Sequence, residues 1–337
     1  MAPPPATVNQ IYERFPASVM ARAYAADAGA SNPVHQTTLA RAARCKGIGL
    51  HTGRMINMTL RPAPADNGIV FVRKDMKNAD DRTIPAICGR VVDGRLSSKI
   101  GNQHGCEVST IEHVMAALAM LGIDNAFIEV NGPEVPIMDG SAAPFVTMLR
   151  RAGKVELAAP RRVLRIKKPV RVESGDAYCE LLPDSETVFE AEIDFESRAI
   201  GRQSHIMKLS PANYDENVAN ARTFCMQAQV DAMHEAGLAL GGSMDNAIVV
   251  DETRVLNEEG LRSPQEFVEH KLLDAIGDLY LLGLNLIGRY RGYKSGHALH
   301  HKLLAALYAN PDAFEIVSLA NDFDRNEDGL AGVMAAE

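Results

Sequence analysis

The rest of the chain is organised around residues 263–278, which read SPQEFVEHKLLDAIGD. Ser263 suits the N-cap of a helix, Pro264 suits the first helical position, and Glu266 would complete a capping box. The apolar residues that follow continue the helical pattern towards Leu284. The sequence therefore predicts a long helix with a well-marked beginning.

One stripe of this predicted helix carries groups that can bind a cation. His270, Asp274 and Asp278 follow one another at i, i+4 and i+8, so their side chains project from the same side. Two carboxylates four residues apart repel each other and cost the helix about 0.2–0.5 kcal/mol. Spacing alone favours a His–Asp contact on a solvated helix face. The apolar residues beside the stripe, however, indicate a buried helix, in which a charge without a partner costs much free energy. A divalent metal above the stripe is the alternative.

The composition excludes several classes of protein. The chain has 337 residues, 46% hydrophobic and 23% charged, which is typical of a globular protein and long enough for two domains. A net charge of −8 argues against general affinity for nucleic acid or anionic membranes. The five cysteines are scattered and contain no C-x-x-C, so neither disulfides nor a thiolate metal site is indicated.

The first 34 residues lack the pattern of a secretory signal, and no run of the chain has the pattern of a membrane span. A secretory signal has a positively charged segment followed by an apolar one. Residues 1–34 contain three consecutive prolines and lack that pattern. No apolar run approaches the roughly 20 residues of a membrane span. We therefore expect a cytoplasmic protein with a disordered extension and no integral membrane segment.

The order of predicted elements repeats along the chain. Strands near residues 56–72, a helix from 109 to 121, a strand at 126–130 and a helix at 143–151 are followed by a similar series. We infer a duplicated α+β unit. The predicted divisions are a disordered extension 1–34, domain I 35–158, domain II 159–310 with an insertion at 223–259, and a tail 311–337.

The helix of the first half carries a second candidate pair. Glu112 and His113 are adjacent, but residue 109 is Ser, so the H-x-x-E-H metalloprotease pattern is excluded. Glu112 is also explained by a capping box with Ser109, and His113 by a place in the core. If the two halves pack face to face, however, His113 approaches His270 and Asp274. Two imidazoles, one carboxylate and an open position make a catalytic zinc site, beside which Glu112 is a general base.

Three histidines lie near the beginning of the last predicted helix. His297 follows Gly296 at a strand-to-helix turn, which suits a catalytic side chain. A helix N-terminus lowers the pKa of a histidine, so a cationic role for His297 requires a carboxylate such as Asp278. His300 and His301 have no partner visible in the sequence, and we expect both to face solvent.

Six motifs occur in order between about residues 35 and 320. They are GLHTG at 49–53, STIEH at 109–113, PIMDGSAAPF at 136–145, ARTF at 221–224, HKxxDxxGD at 270–278 and SGHA at 295–298. Together they resemble the UDP-3-O-acyl-N-acetylglucosamine deacetylases, the zinc amidohydrolases of lipid A biosynthesis in Gram-negative bacteria. The resemblance implies two similar α+β domains whose helices are sandwiched between their sheets, with the active site at the domain interface.

The resemblance also implies the reacting groups. One Zn²⁺ per chain is expected on His113, His270 and Asp274. Glu112 matches the general base, and His297 matches the histidine that acts as general acid when protonated.

Further positions match groups that surround the reaction. Thr223 corresponds to a hydroxyl that helps to hold the oxyanion, with Lys271 and Asp278 as supporting polar groups. Phe224 and the 223–259 insertion, with the turn at Gly241 and Gly242, match the passage for the fatty acyl chain.

The implied reaction is hydrolysis of the 2-acetamido group of UDP-3-O-(3-hydroxyacyl)-N-acetylglucosamine, which releases acetate. The partner is this small acylated UDP-sugar and not a nucleic acid, and the resemblance suggests a monomer. Two alternatives stay open: a sugar-binding protein with a structural metal, and a zinc deacylase for another N-acyl sugar. Three segments diverge from the family pattern: residues 1–34, 74–104 and those after 311. The resemblance therefore assigns no sugar or UDP contacts to these segments.

Overall fold

The computed structural model describes residues 35–78, 81–210 and 214–319, and they form an α+β fold with two sheet-rich halves. The helices are α1 Glu112–Leu121, α2 Ala143–Ala152, α3 Glu216–Asn220, α4 Gln227–Glu235, α5 Glu266–Leu279 and α6 His297–Tyr308. The strands are β1 His35–Leu39, β2 Ala43–Ile48, β3 Met55–Pro62, β4 Ile69–Arg73, β5 Thr83–Pro85, β6 Val91–Asp93, β7 Lys99–Gly101, β8 Glu107–Val108, β9 Ala126–Val130, β10 Lys154–Pro160, β11 Arg162–Ile166, β12 Val170–Ser174, β13 Ala177–Leu182, β14 Thr187–Asp194, β15 Arg202–Lys208, β16 Phe224–Met226, β17 Ile248–Val250, β18 Asn285–Tyr293 and β19 Phe314–Ser318.

The sheet of the first half has the order β2-β3-β9-β4-β5. Its pairs are antiparallel except for β4 with β9, which run parallel. Ala126, Ile128 and Val130 of β9 alternate towards the core, as the period of a strand requires. Strands β6, β7 and β8 form a smaller sheet beside it.

The sheet of the second half is built around β18. Residues 285–287 of this strand pair in parallel with β11, whereas residues 288–293 pair in parallel with β14. The change of neighbour occurs at Gly288, which has φ 149°. A Cβ there would lie 2.8 Å from Ile166 Cγ1 and 3.0 Å from the Leu182 carbonyl oxygen, so glycine is required at this point.

The two halves meet through their helices. Helix α5 packs against α1 of the first half and against β14 and β15 of the second, while α6 packs against β12 and β13. A Cβ on Gly277 of α5 would lie 2.8 Å from the carbonyl carbon of Glu112, with the carbonyl oxygen nearer still. Almost every residue of α5 is buried, so its charged stripe is not a solvated face. The close crossing of α1 and α5 is what brings the two candidate motifs together.

Both predicted capping boxes are wrong. Helix α1 begins at Glu112 rather than Ser109, and the Glu112 carboxylate accepts a hydrogen bond from Ser98 N instead. Helix α5 begins at Glu266, whose buried carboxylate pairs with Arg222 at 2.9 Å. In both cases the carboxylate that would have capped its own helix bonds instead to a residue that is distant in sequence.

The predicted domain boundary and the beginning of the predicted tail both fall on regular structure. The boundary at residue 158 lies inside β10, which pairs with β1. The first residues of the predicted tail are ordered parts of the second half, because β19 pairs antiparallel with β11. The extension 1–34 and the tail after residue 319 lie outside the described residues. Within the described chain, no helix is long and apolar enough to cross a membrane.

Candidate metal centre and active site

Helices α1 and α5 place three metal-binding side chains together. The ligand atoms of His113, His270 and Asp274 all lie within 4.8 Å of one another, and all three residues are buried. Asp274 Oδ1 is 3.3 Å from His270 Nε2 and 3.8 Å from His113 Nε2. The imidazole rings meet edge to face with their centroids 5.1 Å apart. Two nitrogens and one oxygen therefore converge on one point.

The protonation of these groups fits a divalent metal. His270 Nδ1 lies 3.0 Å from the Ala221 carbonyl oxygen, to which it donates, so the Nε2 lone pair faces Asp274. Burial lowers the pKa of His270 and lowers that of His113 to about 3, so both rings are neutral. Burial opposes ionisation of Asp274, but the cationic Lys271 and His297 outweigh it and hold its pKa well below the usual range. The donors are thus in the charge states that a metal requires.

A buried oxygen without a partner marks the same point. Among the described residues, Asp274 Oδ1 has no hydrogen-bond partner, although it is inaccessible to solvent. Leaving such an atom unpaired costs about 1–3 kcal/mol, and more for a charged group. Two lone pairs, on His270 Nε2 and Asp274 Oδ1, also face each other at 3.3 Å. A cation between them removes both costs, so the residues fit a bound metal.

Two groups suited to proton transfer flank the metal-binding cluster. Glu112 Oε1 lies 3.9 Å from His297 Nε2, and Glu112 Oε2 is held by Ser98 N at 3.0 Å. Burial raises the pKa of Glu112 to about 8, although the nearby His297 acts in the opposite direction. His297 Nε2 is also 4.0 Å from Asp274 Oδ2. Glu112 and His297 thus both face the space beside Asp274.

His297 has the carboxylate partner that its cationic role requires. Its Nδ1 lies 2.7 Å from Asp278 Oδ2. Burial alone would lower the pKa of His297, but Asp278, Asp274 and Glu112 together raise it to about 10. The imidazole is therefore protonated at neutral pH, with Nε2 directed towards the metal-binding cluster.

Polar and aromatic groups surround this centre. Lys271 Nζ donates to Asp274 Oδ2 at 3.0 Å and lies 5.4 Å from the centre of the Phe224 ring. The Phe224 ring meets His270 at 6.3 Å and Phe267 at 5.0 Å. Thr223 precedes it, with its backbone N–H donating to Gly140 at 2.8 Å. Lys271 and Phe224 thus lie at the cluster, and Thr223 is held beside them through its backbone.

The predicted Gly241–Gly242 turn contacts the first half of the chain. Gly241 N donates to the Leu50 carbonyl oxygen at 3.0 Å, and a Cβ on Gly241 would collide with the Gly49 carbonyl oxygen. Glycine is needed because the two backbones touch. The turn thus packs the 223–259 insertion against the GLHTG motif at 49–53. Its role in an acyl passage stays a prediction.

Sequence reasoning missed the inner partners of this site. His300 and His301 were expected to face solvent, and that expectation is wrong, since both are buried. His300 Nδ1 lies 2.7 Å from Asp278 Oδ2, and His301 Nε2 lies 2.8 Å from Ser98 Oγ. The spacing was a usable signal: residues 297, 300 and 301 lie at i, i+3 and i+4 and so share one face of α6. Ser98 lies in an irregular segment and carries no such signal.

Comparisons with known proteins agree on one family. The family model described as "LpxC: UDP-3-O-acyl N-acetylglycosamine deacetylase" matches residues 36–309. A UDP-3-O-acyl-N-acetylglucosamine deacetylase of Phenylobacterium zucineum (strain HLK1) is 48% identical over 287 residues, which cover 85% of this chain and 98% of the relative. Proteins with the same name from Pasteurella multocida (strain Pm70) and Histophilus somni (strain 129Pt) are each 46% identical over 287 residues, covering 85% of this chain and 93% of the relative.

Proposed function

Since the chain belongs to the UDP-3-O-acyl-N-acetylglucosamine deacetylase family, we propose how its residues carry out that reaction. The protein is a hydrolase of lipid A biosynthesis that acts on an amide. Its substrate is a UDP-3-O-(3-hydroxyacyl)-N-acetylglucosamine. The carbon–nitrogen bond of the 2-acetamido group breaks, the oxygen of water joins the acetyl carbon, and acetate and a free amine result.

His113 and His270, each through Nε2, and Asp274 through Oδ1 would hold one zinc ion. The observation that supports this most strongly is the buried Asp274 Oδ1, which lacks a hydrogen-bond partner among the described residues and faces both rings. Two nitrogens and one oxygen with an open position are the ligand set of catalytic zinc. When bound, zinc supplies a Lewis acid that polarises the amide carbonyl and makes water more acidic.

Glu112 acts as the general base. Its Oε1 accepts the proton of the attacking water, while the bond from Ser98 N to Oε2 keeps the carboxylate in one orientation. The raised pKa of Glu112, about 8, places it in the range in which a carboxylate accepts a proton effectively. A nearby divalent cation would favour its ionised form.

His297 acts as the general acid. Its Nε2 gives a proton to the departing amine, and Asp278 stabilises the imidazolium until that transfer occurs. The Thr223 hydroxyl and the Lys271 ammonium would stabilise the negative oxygen of the tetrahedral intermediate, an effect typically worth several kcal/mol. Lys271 is already 3.0 Å from a carboxylate of the centre.

The acyl chain would enter beside Phe224. The Phe224 ring packs between Phe195 and Phe267 and lies next to His270, so an apolar surface leads to the centre. We assign the remainder of the passage to the 223–259 insertion, including Gly241 and Gly242. We further propose that the protein acts as a monomer in the cytoplasm, which sedimentation and cell fractionation test.

One experiment tests the function directly. Zinc content and acetate release are measured for the wild type and for His270→Ala, with His104→Asn as the control because His104 is exposed and contacts Asp81 and Gln103 instead of the centre. We expect one zinc per chain and acetate release in the wild type and the control, and loss of both in His270→Ala. A wild type without zinc and without metal dependence overturns the proposal. Bound zinc without turnover favours a sugar-binding protein, and a panel of N-acyl sugars identifies another deacylase.

A further inference from the structure

Asp278 is shared by two imidazoles. Its Oδ2 lies 2.7 Å from His297 Nδ1 and 2.7 Å from His300 Nδ1, and its Oδ1 accepts a hydrogen bond from Ser98 Oγ. Asp278 and His300 are fully buried. A buried carboxylate with three such donors stays ionised and has a fixed orientation. His300 therefore contacts this oxygen at the same distance as His297 does, although it is further from the metal-binding cluster.

The far side of the His300 ring is held as well. Its Nε2 lies 2.9 Å from Tyr290 OH, which in turn lies 2.8 Å from Ser295 Oγ. An ionised carboxylate only accepts, so the nitrogen that faces Asp278 carries the hydrogen. Nε2 of His300 then accepts from the Tyr290 hydroxyl, and burial raises the Tyr290 pKa well above its usual value, so that proton is retained. His300 is thus fixed in one tautomer by contacts at both nitrogens.

The two histidines that contact Asp278 lie on successive turns at the beginning of α6. His297 is the first residue of α6, where the backbone has fewer helical hydrogen bonds than further along. His300 lies one turn later, and both bond to one oxygen of α5. Two bonds from successive turns fix the beginning of α6 against α5, whereas one bond at the end residue allows it to pivot.

We propose that His300 is a positioning residue that holds Asp278 and the first turn of α6, so that His297 Nε2 faces the space between Glu112 and Asp274. This inference rests on the proposed function, in which His297 is the general acid. It assigns His300 no contact with substrate. His300 acts on the chemical step through Asp278 and His297, and its removal should therefore lower kcat rather than raise KM.

Two substitutions separate the hydrogen bond from the bulk of the ring. His300→Phe keeps an aromatic ring but has no donor, whereas His300→Asn places an amide N–H where imidazole Nδ1 stood. His104→Phe, at an exposed histidine, is the matched control. The zinc-loaded proteins are compared by kcat and KM for acetate release, by zinc content, and by ¹H–¹⁵N spectra of ¹⁵N-histidine-labelled protein.

We expect His300→Phe to lower kcat about 10- to 100-fold with unchanged KM and zinc content, since small misplacement of a reacting group costs up to about 100-fold. His300→Asn should restore kcat to within a fewfold of the wild type. Besides the Nδ1–H of His270, which donates to a carbonyl, the wild-type spectrum should show two further downfield Nδ1–H protons bonded to a carboxylate, from His297 and His300. That of His297 should broaden or move in His300→Phe.

Several results overturn the inference. One is a folded, zinc-loaded His300→Phe protein with wild-type kcat, and another is an equal loss in His300→Phe and His300→Asn. If His300→Phe does not fold, the wild-type spectrum decides, because a His300 without a hydrogen on Nδ1 contradicts the assignment. His297→Ala separates this inference from the proposed function. Full turnover in His297→Ala refutes the general acid itself, whereas an inactive His297→Ala beside a fully active His300→Phe refutes only the role of His300.

Discussion

The crossing of α1 and α5 at Gly277 predicts a joint effect on stability and catalysis. In Gly277→Ala the new methyl group would lie 2.8 Å from the carbonyl carbon and 3.0 Å from Cα of Glu112, where ordinary contact begins near 3.4 Å. The contact with the carbonyl carbon alone requires the helices to separate by 3.4 − 2.8 = 0.6 Å, and the carbonyl oxygen of Glu112, which is nearer still, requires more. No side-chain rotation relieves the collision, because the obstacle is backbone.

The two energetic effects of this substitution oppose each other. Overpacking against backbone costs about 3 kcal/mol, the upper end of the usual range, while alanine favours a helix over glycine by about 1 kcal/mol. The net loss is about 2 kcal/mol, which lowers Tm by about 3 °C for a chain of 337 residues. Glu112 itself is displaced, so kcat should fall about tenfold or more.

Differential scanning fluorimetry and acetate release measure the two effects, and Gly132→Ala is the control. There the new methyl group meets the Ile56 side chain and no backbone, with Cδ1, the flexible end of that side chain, nearest at 2.5 Å. We expect that control to lose less than about 1 kcal/mol and to keep its kcat. A Gly277→Ala protein with wild-type Tm and kcat would refute the claim that this crossing positions Glu112.

Three further changes test other parts of the structure. Glu112→Gln should keep its zinc, measured by atomic absorption, but lower kcat by about 10²–10⁴-fold; wild-type turnover would refute the base. Because His297 is protonated up to a pKa of about 10, the alkaline limb of the kcat/KM profile should be centred near that value, while protonation of Glu112 gives a separate acid limb; an alkaline limb centred below pH 8 would contradict this. Arg222→Met leaves the buried Glu266 without its ion pair and should cost about 3–5 kcal/mol in urea unfolding, whereas Arg95→Met, at an exposed arginine, should cost little.

Local pattern was a good guide to the regular elements. The strand predicted at 126–130 is β9 with the same bounds, and the helix predicted at 143–151 is α2, one residue longer. These segments succeed because their periodicity records which face is buried, and that is a property of neighbouring residues. The edge strand Phe314–Ser318 was missed because it follows a proline and precedes an acidic segment, and its partner β11 is about 150 positions away.

Local motifs failed where distant residues competed for the same group. Glu112 and Glu266 each satisfy a capping-box pattern, yet Ser98 N takes one carboxylate and Arg222 takes the other. A buried charged hydrogen bond is stronger than a cap at a helix end. For Glu112 this failure matters to function, because the carboxylate faces the metal-binding cluster instead of its own helix.

The spacing of residues along the chain fixes which side chains share one face of a helix. Helical periodicity alone puts His270, Asp274 and Asp278 on one stripe, and the motifs identified the family. His113, 157 positions before His270, was assigned to the same donor set only through the inferred duplication and the family resemblance, and the packing of α1 on α5 brings its Nε2 within 3.8 Å of Asp274 Oδ1. Only the tertiary structure decided that Asp278 serves both His297 and His300. The physical reason is that these contacts depend on how closely α1, α5 and α6 approach one another, and packing between distant segments is not recorded in the spacing of residues along the chain.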